Sequence, residues 1–241
     1  MNAKSKVIAR IKEIGVVPVI RATKADEALR AVEAIHAGGI PIAEITMTVP
    51  GAIRVIEQVV RRFGGEVLVG AGTVLDSEIA HDCVAAGACF VVSPVLQADT
   101  ITFCTMRDIA VMPGALTPTE VVQAVSLGAD LIKIFPAAAM GGASYIRSLK
   151  APLPELELVP TGGVTLANAA SFIEAGASAV GVGGDLVDLE GVRSGQLDKL
   201  TRAARAYLDA VTSARRSLAD AKVPKDPPQQ IIRRKRAGDL R

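Results

Sequence analysis

The chain has 241 residues, a formal net charge of +2, half of its residues in the hydrophobic set and only 3% aromatics, with 22 glycines. That length allows one large α/β domain or two small ones, and the core must be built from Val, Ile, Leu and Ala. Its apolar runs break at Gly, Pro or a charge well before the roughly 18 residues of a membrane span, which argues against a membrane-spanning helix.

The N-terminus is basic but passes into an amphipathic pattern (Val7, Ile8, Ile11, Ile14) with no secretory apolar core, so it reads as a folded N-terminal helix of a cytoplasmic protein. From Val16 onward, eight strand-like runs follow: 16–20, 40–46, 67–70, 89–93, 110–112, 131–135, 157–160 and 179–182. Between them lie helix-like runs at 26–37, 52–62, 78–86, 100–107, 119–127, 145–150 and 167–175, and a last one spans 197–218. Several helices end on a glycine, as at Gly38-Gly39, Gly64-Gly65, Gly87, Gly128 and Gly176, the signal of a left-handed C-cap leading straight into the next strand.

Eight βα units in this length point to one (β/α)8 barrel over residues 1–219, since an open doubly wound sheet usually has about five or six strands. From Asp220 to Arg241 there are seven basic and three acidic residues, a net charge of +4 that leaves the first 219 residues at −2. With three prolines and Arg233-Arg234-Lys235-Arg236, this segment reads as a disordered basic tail. A solvated tail is the ordinary reading of such a run; an assembly or nucleic-acid-associated module is the non-enzyme alternative it raises.

Cysteines 83, 89 and 104 are odd in number and form no Cys-x-x-Cys pair, which suits small apolar fillers. His36 and His81 have no companion at a ligand spacing, so no metal is expected. Gly70-Ala71-Gly72 lacks the third glycine of a dinucleotide fingerprint.

The chemistry should sit where barrel strands end. The charged groups within or at the ends of the strands are few: Arg21, Glu44, Lys133 and Asp185. Lys133 lies inside the apolar run Leu131–Phe135, where an unpaired ammonium is costly to desolvate. An amine attacks a carbonyl only when unprotonated, and at a pKa near 10.4 only about one lysine in 2,500 is free at pH 7. Burial lowers a lysine pKa by up to roughly 3–5 units, which is how Schiff-base lysines are activated. Alternation puts Ile42, Glu44 and Thr46 on one face, from which Glu44 can reach Lys133 across the bore and shuttle protons. The competing reading is a buried ion pair that only fixes the fold, a weak device compared with apolar replacements. Thr161-Gly162-Gly163 and Gly183-Gly184 follow the seventh and eighth strands, where barrels hold phosphate on backbone N–H groups. Arg21 offers a fork for a carboxylate or phosphate.

On these residues the chain resembles the 2-keto-3-deoxy-6-phosphogluconate (KDPG) and 4-hydroxy-2-oxoglutarate (KHG) aldolases of class I. The matching stretches are Val17-Pro18-Val19-Ile20-Arg21, Ala43-Glu44-Ile45-Thr46, Val69-Gly70-Ala71-Gly72-Thr73-Val74, Val92-Ser93-Pro94, Met112-Pro113-Gly114, Thr117-Pro118-Thr119-Glu120, Ile132-Lys133-Ile134-Phe135-Pro136-Ala137 and Pro160-Thr161-Gly162-Gly163-Val164. The resemblance implies a homotrimeric TIM barrel that needs no cofactor, with a keto-acid as its small-molecule partner. It implies Lys133 as Schiff-base lysine and Glu44 as general acid/base. Thr73, Pro94, Phe135 and Thr161 would line a pyruvate pocket, and Gly162, Gly163 and Gly184 the phosphate end. The expected products are pyruvate and glyceraldehyde 3-phosphate, or pyruvate and glyoxylate from the hydroxy-oxoglutarate. The galactonate stereoisomer, and an isomerase or epimerase on the same fold, are the alternatives. Two departures stand out. Met47-Thr48-Val49-Pro50 replaces a stretch that carries arginine in some members, which leaves Arg21 for the substrate carboxylate. Gly184-Asp185 lacks a serine hydroxyl, and Asp185 would repel a phosphate unless it turns away to cap the next helix.

Overall fold

The computed structural model describes residues 2–222. Helix α1 (Ala3–Ile14) comes first, followed by β1 (Val16–Ile20), α2 (Ala25–Ala37), β2 (Ile42–Thr46), α3 (Ala52–Phe63) and β3 (Leu68–Gly72). The alternation continues with α4 (Ser77–Ala85), β4 (Phe90–Val92), α5 (Ala98–Met106), β5 (Ala110–Met112), β6 (Gly114–Ala115), α6 (Pro118–Ser126) and β7 (Ile132–Ile134). After a short 3-10 turn at Ala138–Met140 come α7 (Ala143–Lys150), β8 (Leu158–Pro160), α8 (Leu166–Glu174), β9 (Val180–Val182), α9 (Leu189–Arg193) and α10 (Leu197–Lys222). Helix α10 runs four residues past the expected end at 218; the rest of the expected tail lies outside the described residues.

The fold is α/β, with a curled sheet of six parallel strands in the order β5-β4-β3-β2-β1-β9 and a second parallel sheet, β6-β7-β8. The expected fifth strand is β5, and a further short strand, β6, stands apart from it because Pro113 between them has no N–H to give to a ladder. Its carbonyl still accepts from Lys133 N (2.9 Å), which carries the pairing from one sheet toward the other. On the far side a single parallel bridge, Thr161 to Gly181, joins the end of β8 to β9.

Almost every strand residue is buried, which is why these strands read as unbroken Val, Ile and Ala runs rather than alternating ones. Local signals set the helix ends. Thr117 and Glu120 close a capping box over Pro118 at the start of α6, a device worth about 1 kcal/mol. The expected glycine turns carry positive φ at Gly39, Gly64, Gly87, Gly128 and Gly176, so each helix stops where its strand must begin.

Helix α10 packs on α8 and α2. Its Arg215 donates to the carbonyls of Glu13 (2.5 Å), Lys12 (2.6 Å) and Ser178 (3.1 Å), tying the last helix to the end of α1. No helix among the described residues is long and apolar enough to cross a membrane.

Candidate active site

Lys133 is the middle residue of β7, in register with Gly114 of β6 and Val159 of β8. Glu44 is the middle residue of β2, in register with Val19 and Gly70. The strands belong to different sheets, yet Lys133 Nζ lies 3.6 Å from Glu44 Oε1, with each residue 2% exposed. Among the described residues this is the one ion pair with both side chains fully enclosed.

The pair is close but incomplete. Glu44 Oε1 is buried with no hydrogen-bond partner, a condition that costs about 1–3 kcal/mol or more for a charged group. An acceptor without a protein partner, 3.6 Å from an amine, can engage a substrate hydroxyl or a water. Lys133 Nζ also lies 5.5 Å from the centre of the Phe135 ring, whose face attracts a cation.

Room for the carboxylate comes from Gly72, a residue the sequence reading did not single out as functional. A Cβ there would lie 2.2 Å from Glu44 Oε1 and 2.7 Å from its Cγ. The available signal was a glycine within a strand, which marks close approach by another group.

Thr73 follows Gly72 with φ +59°, a left-handed conformation that is rare for a β-branched residue. Pro94 lies at the end of β4, its carbonyl packed where any side chain on Gly114 would stand. Thr161 is buried, its N–H donating to Ile134 O (2.9 Å) and its hydroxyl to Val159 O (3.3 Å). Phe135 packs against Gly162 through its ring edge. Packing brings Lys133 to Glu44 and to the Phe135 ring, while Thr73, Pro94 and Thr161 stand just past the ends of β3, β4 and β8.

Thr161 also borders a cavity of about 270 Å³ lined by Arg21, Gly162, Gly163, Val164, Gly184 and Asp185 among others. The backbone N–H groups of Gly162, Gly163, Val164 and Gly184 make no hydrogen bond within the described residues. They form an open donor set beside one guanidinium, suited to an anion. Arg21 therefore stands with the glycines. The Asp185 carboxylate borders this cavity, and its Oδ2 accepts from Leu166 N at the first turn of α8 (3.0 Å), the helix before it in the chain instead of the expected next one, and from the Tyr207 hydroxyl (2.5 Å).

The remaining titratable groups belong to other tasks. Burial pushes the Cys83 and Cys104 thiols up to about 12 and Cys89 to about 11, as inert fillers require. Hydrogen bonds from Arg193 hold Glu27 down at about 2, with help from Thr23, so this pair fastens α9 to α2. Among the described residues no group of three His, Cys, Asp or Glu is placed to hold a metal ion.

Comparison with known proteins agrees with this geometry. Residues 7–203 match the family model described as KDPG and KHG aldolase. A 2-dehydro-3-deoxy-phosphogluconate aldolase of Treponema pallidum is 31% identical over 83% of this chain and 95% of its own. A 2-dehydro-3-deoxy-6-phosphogalactonate aldolase of Escherichia coli K12 is 33% identical over 84% of this chain and 97% of its own. The solved structure of KDPG aldolase from Legionella pneumophila, with pyruvate captured as a covalent carbinolamine intermediate, superimposes with a TM-score of 0.76 at 30% identity, over 86% of this chain and 98% of that one. With a lysine and a carboxylate buried within its strands, the chain belongs to the KDPG and KHG aldolase family of carbon–carbon lyases.

Proposed function

We propose that this protein is a Schiff-base aldolase that cleaves 2-keto-3-deoxy-6-phosphogluconate to pyruvate and glyceraldehyde 3-phosphate, and that it also accepts 4-hydroxy-2-oxoglutarate. The observation that carries the reading is the enclosed Lys133–Glu44 pair with an unused acceptor. Lys133 Nζ adds to the C2 ketone and water leaves, giving a protonated imine. The Glu44 carboxylate takes the C4 hydroxyl proton, the C3–C4 electrons move into the imine as an enamine, and the aldehyde departs. Protonation of C3 and hydrolysis then release pyruvate and restore the lysine.

Thr73, Pro94, Phe135 and Thr161 enclose the pyruvate half in this reading. Gly162, Gly163 and Gly184 hold the phosphate, and Arg21, lining the same cavity, serves that end instead of the carboxylate. The two sheets, joined through Pro113 and the Thr161–Gly181 bridge, are read as one closed (β/α)8 barrel. The protein is read as a cytoplasmic homotrimer. Exposed Leu75 and Val95, on loops linked by Gln97 donating to Leu75 O (2.9 Å), offer apolar surface for a neighbouring copy. The 33% identity to the phosphogalactonate aldolase favours the galactonate stereoisomer as the second substrate to assay.

Borohydride reduction in the presence of pyruvate, followed by peptide mapping, tests the mechanism. A covalent adduct on the peptide containing Lys133, absent from K133A, is expected. An adduct on another lysine, or none on the wild type, refutes it. Melting is measured alongside, since breaking a buried pair costs roughly 3–5 kcal/mol.

A further inference from the structure

Asp185 stands one residue after Gly184, on the loop that leaves β9. Its Oδ2 bonds Leu166 N, the first N–H of α8, and the hydroxyl of Tyr207 on α10. The loop that leads into α8 carries Gly162 and Gly163, so this one carboxylate oxygen links the two loops on either side of the distal cavity. Tyr207 is fully buried, and α10 is itself held by Thr201 donating to Ala34 O (2.8 Å) and by the Arg215 contacts at its far end. The anchor is therefore rigid.

The opposite loop is pinned by a second contact. Asn168 Nδ2 donates to Gly163 O (3.0 Å), while Asn168 Oδ1 accepts from Thr165 N (2.9 Å). These bonds occupy the Gly163 carbonyl and the outermost donors of α8, and leave the N–H groups of Gly162, Gly163, Val164 and Gly184 without partners. Gly184 is exposed with open space around it, in a turn closed by Leu186 N (3.0 Å) and Val187 N (2.9 Å) donating to Gly183 O; Asp185 is the contact that ties this turn to α8 and α10. Burial, and then the Asp185 hydrogen bond, push the Tyr207 hydroxyl well above the ordinary tyrosine range, so it stays a donor at any working pH.

We propose that Asp185 and Tyr207 are positioning residues that clamp the two glycine loops at the spacing a phosphate needs, so that this aldolase recognises the distal end of its substrate through a preset cradle of backbone N–H groups. The proposal rests on the aldolase reading and on the phosphate end assigned above. It assigns Asp185 a role opposite to repulsion: its charge is spent on α8 and Tyr207, and the cradle it builds faces the ligand.

The test compares 2-keto-3-deoxy-6-phosphogluconate with its unphosphorylated counterpart in the wild type, D185A, D185N and Y207F, and follows hydrogen–deuterium exchange of the pyruvate methyl group as a readout of the lysine half alone. In D185A, KM for the phosphorylated substrate should rise about tenfold, the effect of losing a charge-assisted hydrogen bond that orders a binding group. Its KM for the unphosphorylated substrate and its pyruvate exchange should hold. D185N keeps an acceptor for Leu166 N–H and the Tyr207 hydroxyl and should restore most of the loss, whereas Y207F should fall between. A KM that drops in both D185A and D185N would mean repulsion and overturn the clamp. A phosphate-selective wild type with an unaltered D185A would overturn the clamp alone. A wild type indifferent to phosphate, with exchange intact, would overturn the distal-site reading and the clamp with it; loss of exchange in the wild type would overturn the aldolase reading beneath both.

Discussion

Replacing Gly72 with alanine probes the Lys133–Glu44 pair without removing either member. The added Cβ would sit 2.2 Å from Glu44 Oε1, 2.7 Å from Cγ and 2.8 Å from Cδ. Reaching even the shortest separation seen for real Cβ atoms, 3.0 Å, requires the carboxylate to retreat by about 0.8 Å, and ordinary contact by about 1.2 Å. Gly72 is an ordinary strand residue, so alanine adds no backbone strain; the conflict is with the side chain of Glu44. A catalytic group misplaced by about 1 Å costs roughly 10²-fold in rate. Overpacking of a tight interior adds about 1–3 kcal/mol of destabilisation. G72A should therefore fold, melt several degrees lower and lose about two orders of magnitude in kcat. It should still form the borohydride-trapped pyruvate adduct, because Lys133 is untouched. The assay is steady-state cleavage with coupled detection of pyruvate, run beside intact-mass trapping and thermal melting. A folded G72A with unchanged turnover would refute the assignment of Glu44 as the proton carrier in its observed position.

Two other groups give predictions away from the pocket. Glu27 is held at about 2 in the folded protein against 4.5 unfolded, chiefly by Arg193, so its carboxylate contributes stability that is complete above about pH 4.5 and lost as pH falls through 2. The melting advantage of the wild type over E27Q should therefore shrink between those values, and a gap that stays constant down to pH 2 would count against the pairing. Buried Cys83 and Cys104 and half-buried Cys89, with thiols pushed to about 11 or 12, should take up no iodoacetamide in the native protein at pH 8 and should all react after denaturation; rapid native labelling would contradict those raised values.

What the sequence disclosed follows from how each feature is encoded. Buried parallel strands show as β-branched runs bounded by glycines, so β1 and β5 could be read to the residue and the other expected strands to within a few. Lys133 stood out because a charge in such a run is costly, and Glu44 because alternation placed it on the matching face. The short pieces escaped: β6 is two residues beyond a proline, and α9 is five residues long, too short to show a period. Contacts between side chains far apart in the chain escaped too. Tyr207 meets Asp185 from 22 residues away and Arg193 meets Glu27 across 166, and no local pattern records such pairs. Arg21 was visible as a charge at a strand end, but its place beside the glycines depends on β1 pairing with β9, a neighbour relation between the two ends of the chain that no local pattern records.

The break at Pro113 matters beyond secondary structure. Glu44 belongs to the six-stranded sheet and Lys133 to the three-stranded one, joined through the proline on one side and the Thr161–Gly181 bridge on the other. Their separation is accordingly set by a joint between two plates, not by a common ladder. With Glu44 as the proposed proton carrier, wear at such a joint would appear first as sluggish proton delivery, with Lys133 still able to form its adduct. That makes Pro113 and Gly181, neither of which bears a reactive group, the natural places for turnover to be tuned independently of affinity.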